Sequence, residues 1–239
     1  MTYYRRRLAA AHAAGFTGYA EAAATYLLSV LDTRAGLVID LGCGDGALAG
    51  PVTAAGLDYL GIDLSPDMLV LARDRHPAAR FEQRSAFDLA GLPAARAIVA
   101  VGEVVNYAAD PRAGSGGLTP WLRMCRRLLE PGGVLLLDVA GPMRADPDPA
   151  TRVVTHEDYR LEVTTSTDSA RRVLTRHIRI EDATGEDVEV HELHLIDPLE
   201  VMAALGGAGF TASPLASYDP AVPFPRGWSG FLARAILEP

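Results

Sequence analysis

Between Gly36 and Gly141 the chain spells five short apolar runs, and helix-like segments alternate with them. This alternation restricts the fold more than any other feature. The runs are GLVIDLG (36–42), DYLGIDL (58–64), ARFEQRS (79–85), RAIVAVG (96–102) and VLLLDVAG (134–141). Helical patterns fall at 47–56, 65–75 and 119–130. The second of these has a clear start: Ser65 caps, Pro66 takes the first turn, and Asp67 suits the positive end of the helix dipole. RAIVAVG is apolar enough to be buried on both faces. Strands alternating with helices imply a parallel sheet with right-handed crossovers, so a ligand is expected beyond the carboxyl ends of the strands.

The flanks read differently. Residues 2–34 have a helical pattern broken near Gly15. After Gly141, RADPDPA (144–150) reads as a linker or turn. Period-two alternation then runs from Arg152 to Ile196, clearest in RRVLTRHIRIED (171–182) and EDVEVHELHLID (186–197), joined near Thr184 and Gly185. It predicts an antiparallel insertion of two to four strands. PLEVMAALGGAGF (198–210) returns to helix, and two strands follow at about 210–218 and 227–237. The 239 residues suit one α/β domain with an insertion.

Composition excludes several functions. A net charge of −8 argues against a general grip on nucleic acid or an acidic membrane. No run of 18 apolar residues occurs. The segment MTYYRRRLAAAHAAGF lacks the leucine-rich core of a signal peptide, and Cys43 and Cys125 lie far apart, so a cytoplasmic location is expected. All 22 basic residues are arginine. Without lysine there is no internal aldimine with pyridoxal phosphate and no Walker A phosphate loop.

VIDLGCGDG (38–46) joins the first strand to a helix through Gly42, Gly44 and Gly46, where a bare backbone lets a ligand approach. Gly42-x-Gly44-x-x-Ala47 also fits the dinucleotide fingerprint, and Asp63 closes the second strand where ribose hydroxyls are bound in either case. Charge separates the two readings. A pyrophosphate sits at the helix N-terminus, yet here Asp40 and Asp45 flank the loop. Two carboxylates repel phosphate and welcome a cation, which suits S-adenosyl-L-methionine, with its ribose, ammonium and sulfonium.

With these residues in hand, the chain resembles the class I S-adenosylmethionine-dependent methyltransferases, and most closely bacterial small-molecule enzymes, including those acting on amines and amino sugars. VIDLGCGDG and GIDLSPDML resemble the family's first two motifs; RSAFDLAGLP (84–93), AIVAVGEVVNY (97–107) and LLEPGGVLLLDV (128–139) match the regions that follow. The resemblance implies a Rossmann-like seven-stranded sheet flanked by helices, with a small antiparallel β cap inserted after the fifth strand. It divides the chain into an N-terminal helical lid (1–35), a cofactor domain (36–143 and 197–239) and the cap (144–196). It also implies cofactor contacts: Asp40, Gly42 and Gly44 at the methionine part, Asp63 at the ribose, Leu64, Met68, Ala86 and Phe87 around adenine, and Gly102 beneath the sulfonium. Leu64, Met68 and Phe87 read equally as core. Ser85 stands where the family keeps an acidic residue, with Asp88 three positions on.

The acceptor site is less legible. Glu103, Asn106 and Tyr107 follow the fourth strand, with Glu103 the candidate base and the other two candidate substrate contacts or loop fillers. On a strand, Glu192 and His194 share one face and His191 takes the other. That pairing makes His194 a second candidate base and Glu192 a substrate contact, or else both belong to a polar face with His177. Because His191 points away from His194, a metal site is not expected. Tyr3, Tyr4, His12, Phe16 and Tyr19 supply aromatic surface to the N-terminal helix, which either closes over the site, with Tyr4 and Phe16 at the substrate, or packs on the sheet. Trp228 borders the pocket or packs in the core. The expected function is methyl transfer to a small amine or hydroxyl compound. The alternatives are an NAD(P)-dependent oxidoreductase and a non-catalytic S-adenosylmethionine-binding protein. Nucleic acid and membrane are not expected as partners, and nothing bears on oligomeric state.

Overall fold

A computed structural model describes residues 3–15, 17–144 and 150–236. In chain order come α1 (Arg6–Gly15), α2 (Gly18–Val30), β1 (Leu37–Leu41), α3 (Ala49–Ala54), β2 (Asp58–Asp63), α4 (Pro66–Arg75), β3 (Arg80–Gln83), β4 (Ala95–Ala100), α5 (Ser115–Leu128) and β5 (Leu129–Ala140). Then follow β6 (Ala150–Thr155), β7 (Tyr159–Asp168), β8 (Val173–Asp182), β9 (Gly185–His194), α6 (Pro198–Gly207), β10 (Phe210–Leu215), β11 (Ser217–Asp219), β12 (Val222–Pro223) and β13 (Trp228–Ala235).

The main sheet has seven strands in the order β10-β13-β5-β4-β1-β2-β3. β1 to β5 pair in parallel, and β13 runs antiparallel between β5 and β10. Every residue of β4 is buried, as its unbroken apolar run requires of a central strand. Alternate side chains feed two cores. Ile39, Leu41, Ile98 and Leu135 pack with Trp121 and Leu122 of α5; Val38, Val99 and Leu136 pack with Ala24 and Leu27 of α2. α2 is therefore part of the sheet's packing, and only α1 with residues 3–5 lies over the site. α5 begins four residues before the expected start, at Ser115 instead of Thr119. Its buried stripe Leu118, Trp121, Leu122 and Cys125 follows helical spacing, and a first turn tolerates glycine because its N–H groups have no intrahelical partner.

Between β5 and α6, β6 to β9 form a separate four-stranded antiparallel sheet in sequence order. Its inner face carries Leu161, Ile178 and Ile180 against Leu8 and Ala11 of α1, and Leu174 and Leu193 against Ala140 and Tyr107. Arg7 ties α1 to this cap through Asp187 (2.9 Å) and Asp182 (3.1 Å). Among the described residues no helix is long and apolar enough to cross a membrane.

Ser65 links the layers. Its Oγ accepts from Met68 N (3.1 Å), capping α4 as the sequence predicts, and donates to the Tyr4 carbonyl (2.8 Å), seating the N-terminal segment. Ser65→Ala removes both bonds. It is expected to lower stability by about 1–2 kcal/mol, read from the urea midpoint.

Candidate functional site

The glycine loop folds against the end of β2. Gly42 and Cys43 donate their N–H groups to the Ile62 carbonyl (2.7 and 3.0 Å). Gly44 donates to Asp63 Oδ2 (2.9 Å), and Ser65 N donates to Asp63 Oδ1 (2.8 Å). Burial raises the Asp63 pKa, and the donating N–H groups of Ser65, Gly44 and Leu64 oppose that rise. Each carboxylate oxygen keeps a second lone pair for a ligand hydroxyl.

The loop glycines do different work. Gly42, at φ +74°, has Val104 where a Cβ would stand, so it serves close packing. Gly44, at φ +53°, has only Met68 Sδ within 4.0 Å of that position, and Gly102, at φ +93°, has nothing within 4 Å. These two leave open backbone on either side of the β1 and β4 strand ends. Leu64 is 45% exposed beside Asp63, whereas Met68 is buried. Ala86 is nearly buried, and its carbonyl accepts from Trp121 Nε1 (2.8 Å). The Phe87 ring belongs to the core, packed on Trp121 with ring centres 5.9 Å apart, so the packing reading holds for it. Ser85 Oγ donates to Asp110, whose carboxyl the Arg112 guanidinium holds down to about 2.

Asp45 departs from expectation. Arg75 pairs with it at 2.6 Å, which partly offsets its charge, although Asp45 still helps raise Asp40. The acidic character near the loop rests on Asp40, Asp63 and the ion-paired Asp45. Sequence alone misses this pair because Arg75, at the end of α4, lies 30 residues away.

Beyond β4 the backbone turns through Gly102 and Glu103, the latter in a left-handed conformation at φ 63°. Glu103 was expected to act as a base. Its two oxygens are instead taken by Arg144 Nε (3.2 Å) and Arg176 (2.7 Å), both on the cap side of the site. Doubly paired, it anchors two guanidinium groups from the cap side. Asn106 is fully buried and committed to backbone: Nδ2 donates to the Ala140 (2.9 Å) and His194 (2.6 Å) carbonyls, and Oδ1 accepts from Ala140 N (3.0 Å). It is a staple, which corrects its expected place at the substrate. Tyr107 turns toward the cap: its hydroxyl meets that of Tyr4 (2.9 Å) and accepts from Arg176 (3.3 Å). Trp228 stands at the start of β13, against Tyr19 (4.9 Å between ring centres) and with the Arg144 guanidinium 5.9 Å from its ring. Phe16 lies outside the described residues.

Strand β9 reverses an expectation. Glu192 and His194 do share a face, but it is the outer one. Glu192 is exposed, and the His194 ring sits by Gly114 in a surface cleft of about 260 Å³ with Arg171 and Arg172. The inner face carries Glu189, His191 and Leu193, all buried. Exposed Val188 and Val190 place apolar residues on the outer face too, so hydrophobicity does not tell the two faces apart. His191 Nε2 lies 2.9 Å from Glu189 Oε2, within a ring of Tyr3, Tyr4 and Tyr107. Arg144, Arg176 and Glu189 carry no motif and went unpredicted. Asp138 had a signal: it is the one charged residue inside the apolar run VLLLDVAG.

Comparison with known proteins agrees with the fold. Residues 39–135 match a family model described as a methyltransferase domain. A ubiquinone biosynthesis O-methyltransferase of Cereibacter sphaeroides is 33% identical over 103 residues, 41% of this chain and 39% of that protein. The same enzyme of Xanthomonas oryzae pv. oryzae is 31% identical over 117 residues, 47% and 46% of the two chains. The chain thus spans less than half the length of the curated relatives it matches. Among solved structures, the sugar N-methyltransferase KedS8 of Streptoalloteichus has TM-score 0.72 and 26% identity, covering 95% of this chain and 92% of that one. The CcbJ methyltransferase of Streptomyces caelestis has TM-score 0.82 and 19% identity over 99% of both chains, a likeness of fold.

Two buried carboxylates give the site a pH signature. Burial raises Asp40 to about 7, against a hydrogen bond from Tyr59, and raises Asp138 to about 6, against donation from Glu103 N, Gly102 N and Tyr218. Trp228 also helps hold the Asp138 charge, although its indole N–H makes no hydrogen bond of good geometry. In the unfolded chain such carboxyls titrate near about 4. The folded state therefore holds more protons between about pH 4 and 7, and these groups lower stability as pH rises through that window. Asp40→Asn is expected to gain roughly 2–4 kcal/mol relative to the native chain between pH 4 and pH 8, measured by urea unfolding. A difference that does not change with pH would contradict the burial argument.

Proposed function

This chain belongs to the class I S-adenosylmethionine-dependent methyltransferases, and from that premise we propose that it methylates a small molecule, at an amine or hydroxyl, in a chamber between the sheet and its cap. The observation that carries the reading is the pairing of Asp63 with open backbone at Gly44 and Gly102. The residues present fit the cofactor. Asp63 has lone pairs for ribose hydroxyls, and exposed Leu64 offers an apolar surface beside it. Gly44 and Gly102 leave the space that a side chain would fill. Asp63 serves a ribose in either reading, so it is the carboxyls of Asp40 and Asp45 beside the loop that weigh against a pyrophosphate and the oxidoreductase reading.

When bound, S-adenosylmethionine supplies a methyl group already activated on a sulfonium. The chain's own part is then to align the acceptor and exclude water. Tyr4 and Tyr107 wall the chamber from the lid and the β4 loop. Arg176 and Arg144 border it, with Glu103 setting their positions. Enclosure between sheet and cap suits a small acceptor, and the sugar N-methyltransferase likeness favours screening amines first.

Calorimetric titration with S-adenosylmethionine, S-adenosylhomocysteine and NADH tests the cofactor. Micromolar binding of the two sulfur ligands is expected, weakened at least about tenfold in Asp63→Ala. Binding of NADH with neither sulfur ligand would overturn the reading. Transfer of labelled methyl to a panel of amines and hydroxyl compounds then identifies the acceptor class.

A further inference from the structure

The inner face of the cap carries a polar band between two apolar clusters. Arg176 and His191 stand directly opposite one another on β8 and β9, as do Ile178 and Glu189. Glu189 Oε1 accepts from Arg5 N (2.9 Å), and Oε2 accepts from Tyr4 N (2.8 Å). A carboxylate that already accepts backbone N–H groups on both oxygens is an acceptor toward its third partner also, so His191 Nε2 carries the proton and donates it at 2.9 Å. That leaves Nδ1 with a bare lone pair. It is shielded from solvent and has no hydrogen-bond partner among the described residues, although His191 is only 1% exposed. A buried ring nitrogen left unpaired calls for an explanation, because polar atoms in an interior normally find partners. The rings of Tyr3, Tyr4 and Tyr107 surround it, and Tyr107 is linked through Arg176 to Glu103, next to the open backbone of Gly102.

We infer that His191 is the proton acceptor for the acceptor molecule, with Glu189 as its positioning residue; this deepens the methyl-transfer reading and rests on it. Residues 3–5 roof the imidazole, and their displacement from Glu189 admits the acceptor. The acceptor's nitrogen or oxygen uses its lone pair to form the new bond to carbon as the carbon–sulfur bond breaks and its electrons return to sulfur. The proton released from that nitrogen or oxygen passes to Nδ1, and Glu189 stabilises the resulting imidazolium through Nε2–H. One carboxylate thereby orients the base and holds the lid, so closing the chamber and aligning the imidazole are one event.

The test uses the full chain labelled with ¹⁵N-histidine. His191 is expected to show a bare Nδ1 and a protonated Nε2. The groups that face the ring are Glu189, Arg176, Arg5, Tyr3, Tyr4, Tyr107 and, beyond Arg176, Glu103. A proton on Nδ1 with Nε2 bare overturns the assignment. His191→Gln keeps a donor at the Nε2 position and removes the Nδ1 base. It is expected to bind S-adenosylhomocysteine within about twofold of the native chain, yet to lose about a hundredfold in methyl transfer to glucosamine and catechol probes, along with the acid limb of the pH profile. Unchanged transfer with cofactor bound overturns the base alone. A native chain that binds no S-adenosylhomocysteine overturns the parent reading instead. Should His191→Gln fail to fold, the ring's protonation in the native chain decides the matter.

Discussion

The carboxylate of Asp138 holds the turn on which the site is built. It accepts from the backbone N–H groups of Gly102 (3.0 Å) and Glu103 (2.6 Å), and from the Tyr218 hydroxyl (2.8 Å). Both turn residues have positive φ, a conformation that a side chain such as that of Glu103 resists without such support. Asp138 is itself buried at the end of β5, so the donors both satisfy it and bind β4, β5 and β11 into one rigid edge. The open backbone at Gly102 and the outward throw of Glu103 both follow from this turn.

The cap depends on the same edge. Glu103 receives Arg176 from β8 and Arg144 from the segment after β5, and Asn106 bridges the ends of β5 and β9 through two carbonyls and an N–H. Charges this deeply placed are stable only in company, since an unpaired buried ion is far more costly than a paired one. The pairings therefore act as a register, admitting one seating of the cap on the sheet. α1 closes the assembly from above, through Arg5 and Arg7 on the cap and Tyr4 on Ser65 of the cofactor half.

Much of this was legible beforehand. Five apolar runs in order predicted the parallel sheet, and the Ser65 cap and the central position of β4 emerged as expected. Local signals carry such features: periodicity, capping chemistry and glycine depend on residues a few positions apart. The loop carboxylates were legible in position but not in charge. Asp45 is paired with Arg75, and Asp40 is raised to about 7 chiefly by burial. Both effects come from groups distant in sequence. Phe87 likewise went to the core because Trp121, 34 residues on, stands beside it.

The division is sharpest on β9. By itself the sequence determined that His191 and His194 lie on opposite faces, since alternate residues of a strand point opposite ways. It also determined the glycine loop, the acid at the end of β2 and the order of strands and helices. Which face of β9 turns inward was decided only by tertiary structure, because Val188 and Val190 on one side and Leu193 on the other leave neither face distinctly the more apolar. Leu193 fits against Ala140 and Tyr107, and Glu189 meets the backbone N–H groups of residues 4 and 5; those contacts turn His191 inward and leave His194 outside.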